Sequence, residues 1–265
     1  VREKDDSLFN LKKAAELFIK GIPIGMSNTL PGISGGTMAL VLGIYETLVT
    51  GIKRIKFKVL IPIFLGAVAG VLGSAQVITS ILESYPNLMK AFLLGLIFAS
   101  SGVTLQQIKK INWTAVLLSI IGFSLAYFFS VEVTGAQVGG SVSAVRSFFG
   151  GAVGSVAMIL PGVSGGTILI MMGLYEGVLA AINSFEFAVL IPFALGVGSG
   201  LLAFSWLLSY LLADYRSRLM AFLTGLILGS MRSVIPANIG EILGFAAGFI
   251  IIYLLGRWEN SGGEA

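Results

Sequence analysis

Pro31-Gly-Ile-Ser-Gly-Gly-Thr37 returns as Pro161-Gly-Val-Ser-Gly-Gly-Thr167, 130 residues further on. From Pro31 to Glu46 against Pro161 to Glu176, nine of sixteen positions are identical, the last three being Gly43/Gly173, Tyr45/Tyr175 and Glu46/Glu176. The same offset aligns Phe57-Lys-Val-Leu-Ile-Pro62 with Phe187-Ala-Val-Leu-Ile-Pro192, and Ala91-Phe-Leu-Leu-Gly-Leu-Ile97 with Ala221-Phe-Leu-Thr-Gly-Leu-Ile227. The chain is therefore two copies of one unit. In each copy Pro and Gly interrupt an apolar segment, and a pair of interrupted segments in corresponding places is the sequence sign of a membrane transporter's binding site.

Composition sets the solvent. With 265 residues, 56% of them hydrophobic and 11% charged, and a mean hydropathy of +0.95, there is too little polar surface for a soluble globule. The apolar runs are continuous for about 18 to 25 residues, as spanning helices require, and do not alternate over about ten as barrel strands do. A net charge of +4 spread through such a chain reads as membrane topology and not as a nucleic-acid surface. Cys and His are both absent, which removes thiol chemistry, the commonest metal ligand and the commonest general base. No metal, no cofactor and no enzymatic activity are expected.

The predicted fold is an all-α polytopic membrane protein of two inverted-topology repeats, each a re-entrant helical hairpin plus three transmembrane helices. Residues 1–20 are charged from the start, with Leu8, Leu11, Ala15 and Phe18 at helical spacing. They read as an amphipathic helix on the cytoplasmic surface, with no cleavable signal and a few residues preceding Val1. Repeat 1 occupies 21–131, its hairpin 21–52 followed by spans near Phe57–Leu82, Leu88–Gln106 and Trp113–Val131. An extracytoplasmic linker, 132–147, joins it to repeat 2 at 148–257. There the hairpin is 148–182 and the spans lie near Phe187–Leu212, Leu219–Ile235 and Ile239–Leu255, with a short disordered cytoplasmic tail over 258–265.

Each broken segment could be one kinked span or a hairpin that returns to its own side. Charge favours the hairpin. Three true crossings per repeat make the repeats inverted, and 14 of the 17 Lys and Arg residues then share one face, leaving Lys90, Arg146 and Arg232 on the other. The rich face is cytoplasmic by the positive-inside rule, which puts both termini in the cytoplasm of a multi-pass protein. Length agrees: ten residues from Ile22 to Pro31 make about 15 Å of helix, half of a hydrocarbon core of about 30 Å.

At that depth unpaired backbone groups cost several kcal/mol each unless protein or a wet cavity satisfies them. Ser34 and Thr37, like Ser164 and Thr167, are natural cap and first-turn residues for the returning arm. With the amides of Gly35, Gly36, Gly165 and Gly166, they make two concave donor clusters suited to an anion, phosphate above all, that would converge at mid-membrane. The same residues would also serve as tight packing turns with internally capped arms.

The twin motifs, each followed by Gly-x-Tyr-Glu at Gly43–Glu46 and Gly173–Glu176, resemble those of the PopT-type polyprenyl-phosphate transporters. The likeness runs from Gly21 to Leu255. It implies a bacterial plasma-membrane lipid transporter that returns undecaprenyl phosphate to the cytoplasmic leaflet for cell-envelope synthesis, with that lipid and the surrounding bilayer as its partners and homo-oligomerisation left open. The anion follows from the residues; the identity of the lipid follows only from the resemblance. Rival readings are a small-anion carrier or channel, which would lack a lateral opening to lipid, and an intramembrane lipid phosphatase.

Four charged residues complete the candidate site. Arg146 and Arg232 break the charge asymmetry and are read as an outward funnel for phosphate, the alternative being snorkelling or pairing with Glu132 or Glu241. Glu46 and Glu176, about 15 Å of helix beyond the tips, are candidates for proton coupling. Glu46 would otherwise neutralise Lys53 or Arg54. Tyr45 and Tyr175 are expected to anchor at the interface.

Overall fold

A computed structural model describes residues 11–30, 33–109, 111–129, 142–236 and 241–262, the side chains of 129 and 256–262 excepted. Among these residues all regular structure is helical. Repeat 1 contributes α1 (Leu11–Asn28), α2 (Gly35–Val41), α3 (Tyr45–Lys53), α4 (Phe57–Ser84), α5 (Pro86–Leu105) and α6 (Trp113–Phe129). Repeat 2 contributes α7 (Ala144–Ile159), α8 (Gly165–Met171), α9 (Tyr175–Asn183), α10 (Phe187–Asp214), α11 (Arg216–Ser230) and α12 (Ile242–Gly262), with a 3-10 turn at Met231–Val234 after α11. The repeat extends to backbone detail. Left-handed residues fall at the same offset, Gly43 (φ 66°) with Gly173 (φ 65°) and the non-glycines Ile55 (φ 49°) with Phe185 (φ 54°).

Several expectations are corrected. Instead of a surface helix that stops at residue 20, one helix runs through that boundary from Leu11 to Asn28, because α1 lays Leu17, Gly21, Ile24 and Gly25 in one stripe against α4. Residues 1–10 and 130–141, the latter taking in most of the expected linker 132–147, lie outside the described residues, and α7 begins at Ala144, inside that linker and ahead of the hairpin expected from 148. The returning arms are not single helices: left-handed Gly43 and Gly173 bend α2 against α3 by 120° and α8 against α9 by 104°. At the far end α12 continues helically to Gly262, so the tail expected from 258 onward begins later.

Six full spans are expected, and three described helices are long and apolar enough to cross a bilayer: α4, α5 and α10. The two bent pairs raise the number to five if each counts as one span, while α7 and the apolar parts of α6 and α12 are shorter. At 28 residues, α4 and α10 reach about 42 Å, more than a hydrocarbon core needs, and so extend into the headgroup layer or tilt.

Helices pair through small residues that let backbones touch, the device available where no water drives association. α1 packs on α4 and, equivalently, α7 on α10. A methyl on Gly66 would run into the Phe18 carbonyl, and one on Gly196 into that of Phe148, its equivalent. The last helices are exchanged: α6 packs on α11 of the other repeat and α12 on α5. Gly225 meets the Ser119 carbonyl and Gly95 that of Phe245. This reciprocal exchange ties the halves together around α5 and α11, where Leu93, Ile97, Leu223 and Ile227 are at most 1% exposed.

The broken arms depart from this symmetry. All seven residues of α2 are buried, whereas in α8 only Gly165 is. α2 touches α5, α7 and α12, and α3 lies along α10 of the opposite repeat. α8 and α9 pack in the main on α7 and α10 of their own repeat. One arm is docked across the molecule and its equivalent is not.

Candidate functional site

The two tips meet. Ser34, the N-cap of α2, accepts from the Thr37 N–H at 3.3 Å and donates to the Leu160 carbonyl of the second tip at 3.2 Å. The Gly162 N–H is shared between Ser34 Oγ at 3.2 Å and Thr37 Oγ1 at 3.1 Å. Ser34 Oγ and Thr37 Oγ1 lie 3.1 Å apart. Asn28 Oδ1 accepts from the Gly35 N–H at 3.1 Å, and Tyr45 Oη donates to the Ile159 carbonyl at 3.3 Å. A methyl on Gly36 would strike that same Ile159 carbonyl. Ser34, Gly35, Gly36 and Thr37 are thus buried against the backbone of the second tip, their hydrogen-bonding groups largely taken. Pro31 and Gly32 lie outside the described residues.

The second tip has the same cap and few of these partners. Ser164 caps α8, accepting from the Thr167 N–H at 3.3 Å, but its side chain is exposed. Where Asn28 serves Gly35, the equivalent residue is Met158, which has no oxygen to offer. Among the described residues the amides of Gly165 and Gly166 have no acceptor. A methyl on Gly166 would meet nothing closer than Ser164 Oγ at 3.8 Å and Tyr175 Cε2 at 3.9 Å, so space lies beside Gly166, whereas Gly165 is buried against Met158 and the Gly154 carbonyl. Tyr175 is 43% exposed and Tyr45 only 2%. Tyr45 is therefore a core residue that holds the tips together, not an interfacial anchor.

α2 and α8 have seven residues each, too short to carry the end charge of a long helix. The electrostatics of the tips rest on individual amides and hydroxyls. The bends also remove the straight arm on which Glu46 and Glu176 were expected. Glu46 pairs with Arg216, at the start of α11 in the other repeat, and not with Lys53 or Arg54. The same guanidinium donates to Gln107 Oε1 at 2.9 Å. The offset places Pro86 opposite Arg216, so Glu176 has no equivalent cation. Among the described residues it has no ion partner, and its side chain is exposed.

Arg146 and Arg232 both sit on helix ends. Arg146 Nη2 donates at 3.2 Å to the carbonyl of Met172, which terminates α8. Arg232 Nη1 donates at 3.0 Å to the Tyr127 carbonyl near the end of α6, and its guanidinium lies 4.3 Å from the centre of the Tyr127 ring. Both side chains remain partly exposed with donors to spare, since each guanidinium carries five N–H groups. Reading the sequence missed Asn28, Gln107 and Arg216. Of these, only Arg216 carried a signal, as a basic residue with no counterpart in the first repeat.

A lateral groove of about 630 Å3 opens between the end of α2, α5 and α12. Leu40, Val41, Gly102, Phe249 and Ile252 line it, with Gln106 and Gln107 at one end. Phe98, Leu105 and Tyr253 on its walls are each about half exposed, so it faces the surroundings sideways. Among the described residues, no three acidic side chains gather into a metal cluster.

The family model described as VCA0040-like, undecaprenyl phosphate translocase-like, matches residues 24–60 and 52–247. The chain belongs to this family. A polyprenyl-phosphate transporter of Vibrio cholerae serotype O1 is 34% identical over 247 residues, covering 83% of this chain and 77% of the relative. No solved structure matches the chain. The matched residues take in both tips, Arg146, Arg232, Arg216 and the two glutamates.

Proposed function

We propose that the protein translocates undecaprenyl phosphate across the bacterial plasma membrane, binding the phosphate at the two tips and exposing it alternately to the two sides. The observation that carries this reading is the inequivalence of two equivalent elements. Ser34–Thr37 is closed by the backbone of the second tip, while Ser164 is exposed and the amides of Gly165 and Gly166 are uncommitted. One sequence motif held in two environments is what one end state of an alternating cycle requires, and exchange of the two environments gives the other end state.

In the inverted topology favoured by charge, the second tip opens outward, and Arg146 and Arg232 lie on its side to receive an anionic headgroup. Glu176, exposed at the start of α9, would exchange a proton with an arriving phosphate, and Glu46 would do so on the opposite side once released from Arg216. The isoprenoid tail stays in lipid or in lateral grooves. A groove open to the side favours a lipid over a small soluble anion, since an ion needs no sideways exit. The test is reconstitution: in proteoliposomes, labelled undecaprenyl phosphate placed in one leaflet should become accessible in the other, inorganic phosphate should not cross, and no phosphate should be released. Phosphate flux without lipid transfer would establish the small-anion carrier instead.

A further inference from the structure

We infer that the groove between α2, α5 and α12 is a second lipid station, taking the apolar chain of a polyprenyl phosphate while Arg216 takes its phosphate once Glu46 lets go. Resting on the transport reading above, it adds a site remote from the tips. Gln107 joins the two halves of the station: its side chain lines the apolar groove and accepts from Arg216 Nη2 at 2.9 Å. The molecule thus sets a guanidinium at the end of a laterally open apolar trough, the layout of an amphiphile with one anionic end.

Glu46 fills the anion position on Arg216 in this state. Both side chains are about half exposed, at 48% and 45%, so the pair is screened and weakly held, and a dianionic phosphate competes with a carboxylate for the same planar fork. Because Glu46 belongs to the docked arm α3, undocking that arm withdraws the carboxylate and leaves Arg216 free at the moment the first tip opens. The 130-residue offset gives Pro86 in place of Arg216, so the station exists on one side only. An asymmetric station of this kind would give the lipid a place to leave from on the basic face and not on the other.

Gly102 allows a direct test, since a side chain there meets nothing within 4 Å and the protein has no cysteine of its own. In membranes, alkylation of Gly102→Cys by a small permeant maleimide should slow about tenfold with farnesyl phosphate at about ten times its Kd. Farnesol should protect at distinctly higher concentration and inorganic phosphate not at all. Adding Arg216→Ala should raise the farnesyl phosphate concentration needed by about tenfold, to that of farnesol. Adding Glu46→Gln should lower it. Equal protection by farnesol and farnesyl phosphate in the parent variant would make the groove a nonselective lipid crevice and overturn the station, as would no protection by either. Wild-type transport in proteoliposomes is measured alongside: if it persists while the groove stays unprotected, only the station falls, whereas absent transport with phosphate-selective protection would sink the transport reading and leave the station standing.

Discussion

Gly166 is where binding and packing can be separated. A valine at Gly165 would crowd Met158 Cγ, 2.5 Å from an added methyl, and the Gly154 carbonyl at 2.7 Å, so damage there says little about phosphate. Gly166 has room, and as a helical glycine it gains backbone stability from alanine, up to about 1 kcal/mol. Gly166→Ala should therefore keep or raise the melting temperature of the purified protein while reducing polyprenyl phosphate binding, because the methyl stands beside the free amides. The serines should divide in the opposite sense. Ser34→Ala leaves the Leu160 carbonyl without its donor, removes one of the two acceptors of the Gly162 N–H and loses the buried cap on the Thr37 N–H, each worth about 1 kcal/mol, so thermal stability should fall clearly. Ser164→Ala loses only an exposed cap, roughly 1 kcal/mol, and should lower the melting temperature distinctly less. Equal destabilisation by the two alanines would mean that the tips are equivalent turns. The sequence showed that these serines cap arms, because Ser-Gly-Gly-Thr after Pro-Gly has few other uses in a membrane. It could not show that one would be occupied, since that depends on which arm is docked, a property of the conformation and not of a motif that both copies share.

Helix pairing tells a similar story in glycine. Gly66→Val and Gly196→Val should each abolish accumulation of folded protein, as both put a branched side chain into a facing carbonyl, whereas Gly73→Ala and Gly198→Ala, with nothing within 4 Å, should be silent in the same expression assay. The long helices were legible to within a few residues, because continuous apolarity leaves little freedom: Phe57 and Phe187 begin α4 and α10 as expected. The breaks inside the returning arms were not, although Gly43 and Gly173 stood in plain view. A glycine within an apolar run is compatible with straight packing or with a left-handed bend, and only the three-dimensional route of the chain decides. Topology is open to thiol labelling. Lys56→Cys and Ser217→Cys should react with an impermeant maleimide only from the cytoplasm and Asn183→Cys only from outside. Reaction of positions 56 and 183 from the same side would end the inverted arrangement.

Across the whole molecule, the exchanged packing of α6 on α11 and α12 on α5 makes a common frame, against which the two broken arms hold different positions. Such a frame with two inequivalent arms is a device for changing sides, provided that the arms trade places. Lys53 on α3 lies over the Trp206 ring of α10 at 5.8 Å, and marks the docked arm; the offset names Asn183 and Gln76 as the matching pair when the other arm docks. None of these four residues belongs to the tips, the arginine funnel or the groove. The decisive measurement is therefore transport of labelled undecaprenyl phosphate by proteoliposomes carrying Lys53→Cys with Trp206→Cys, or Asn183→Cys with Gln76→Cys, before and after bridging by a short reducible bifunctional thiol reagent. Both pairs should bridge, each bridge should stop transport, and reduction should restore it. A second pair that never bridges, or a bridged first pair that carries lipid at the unbridged rate, would contradict alternating exposure.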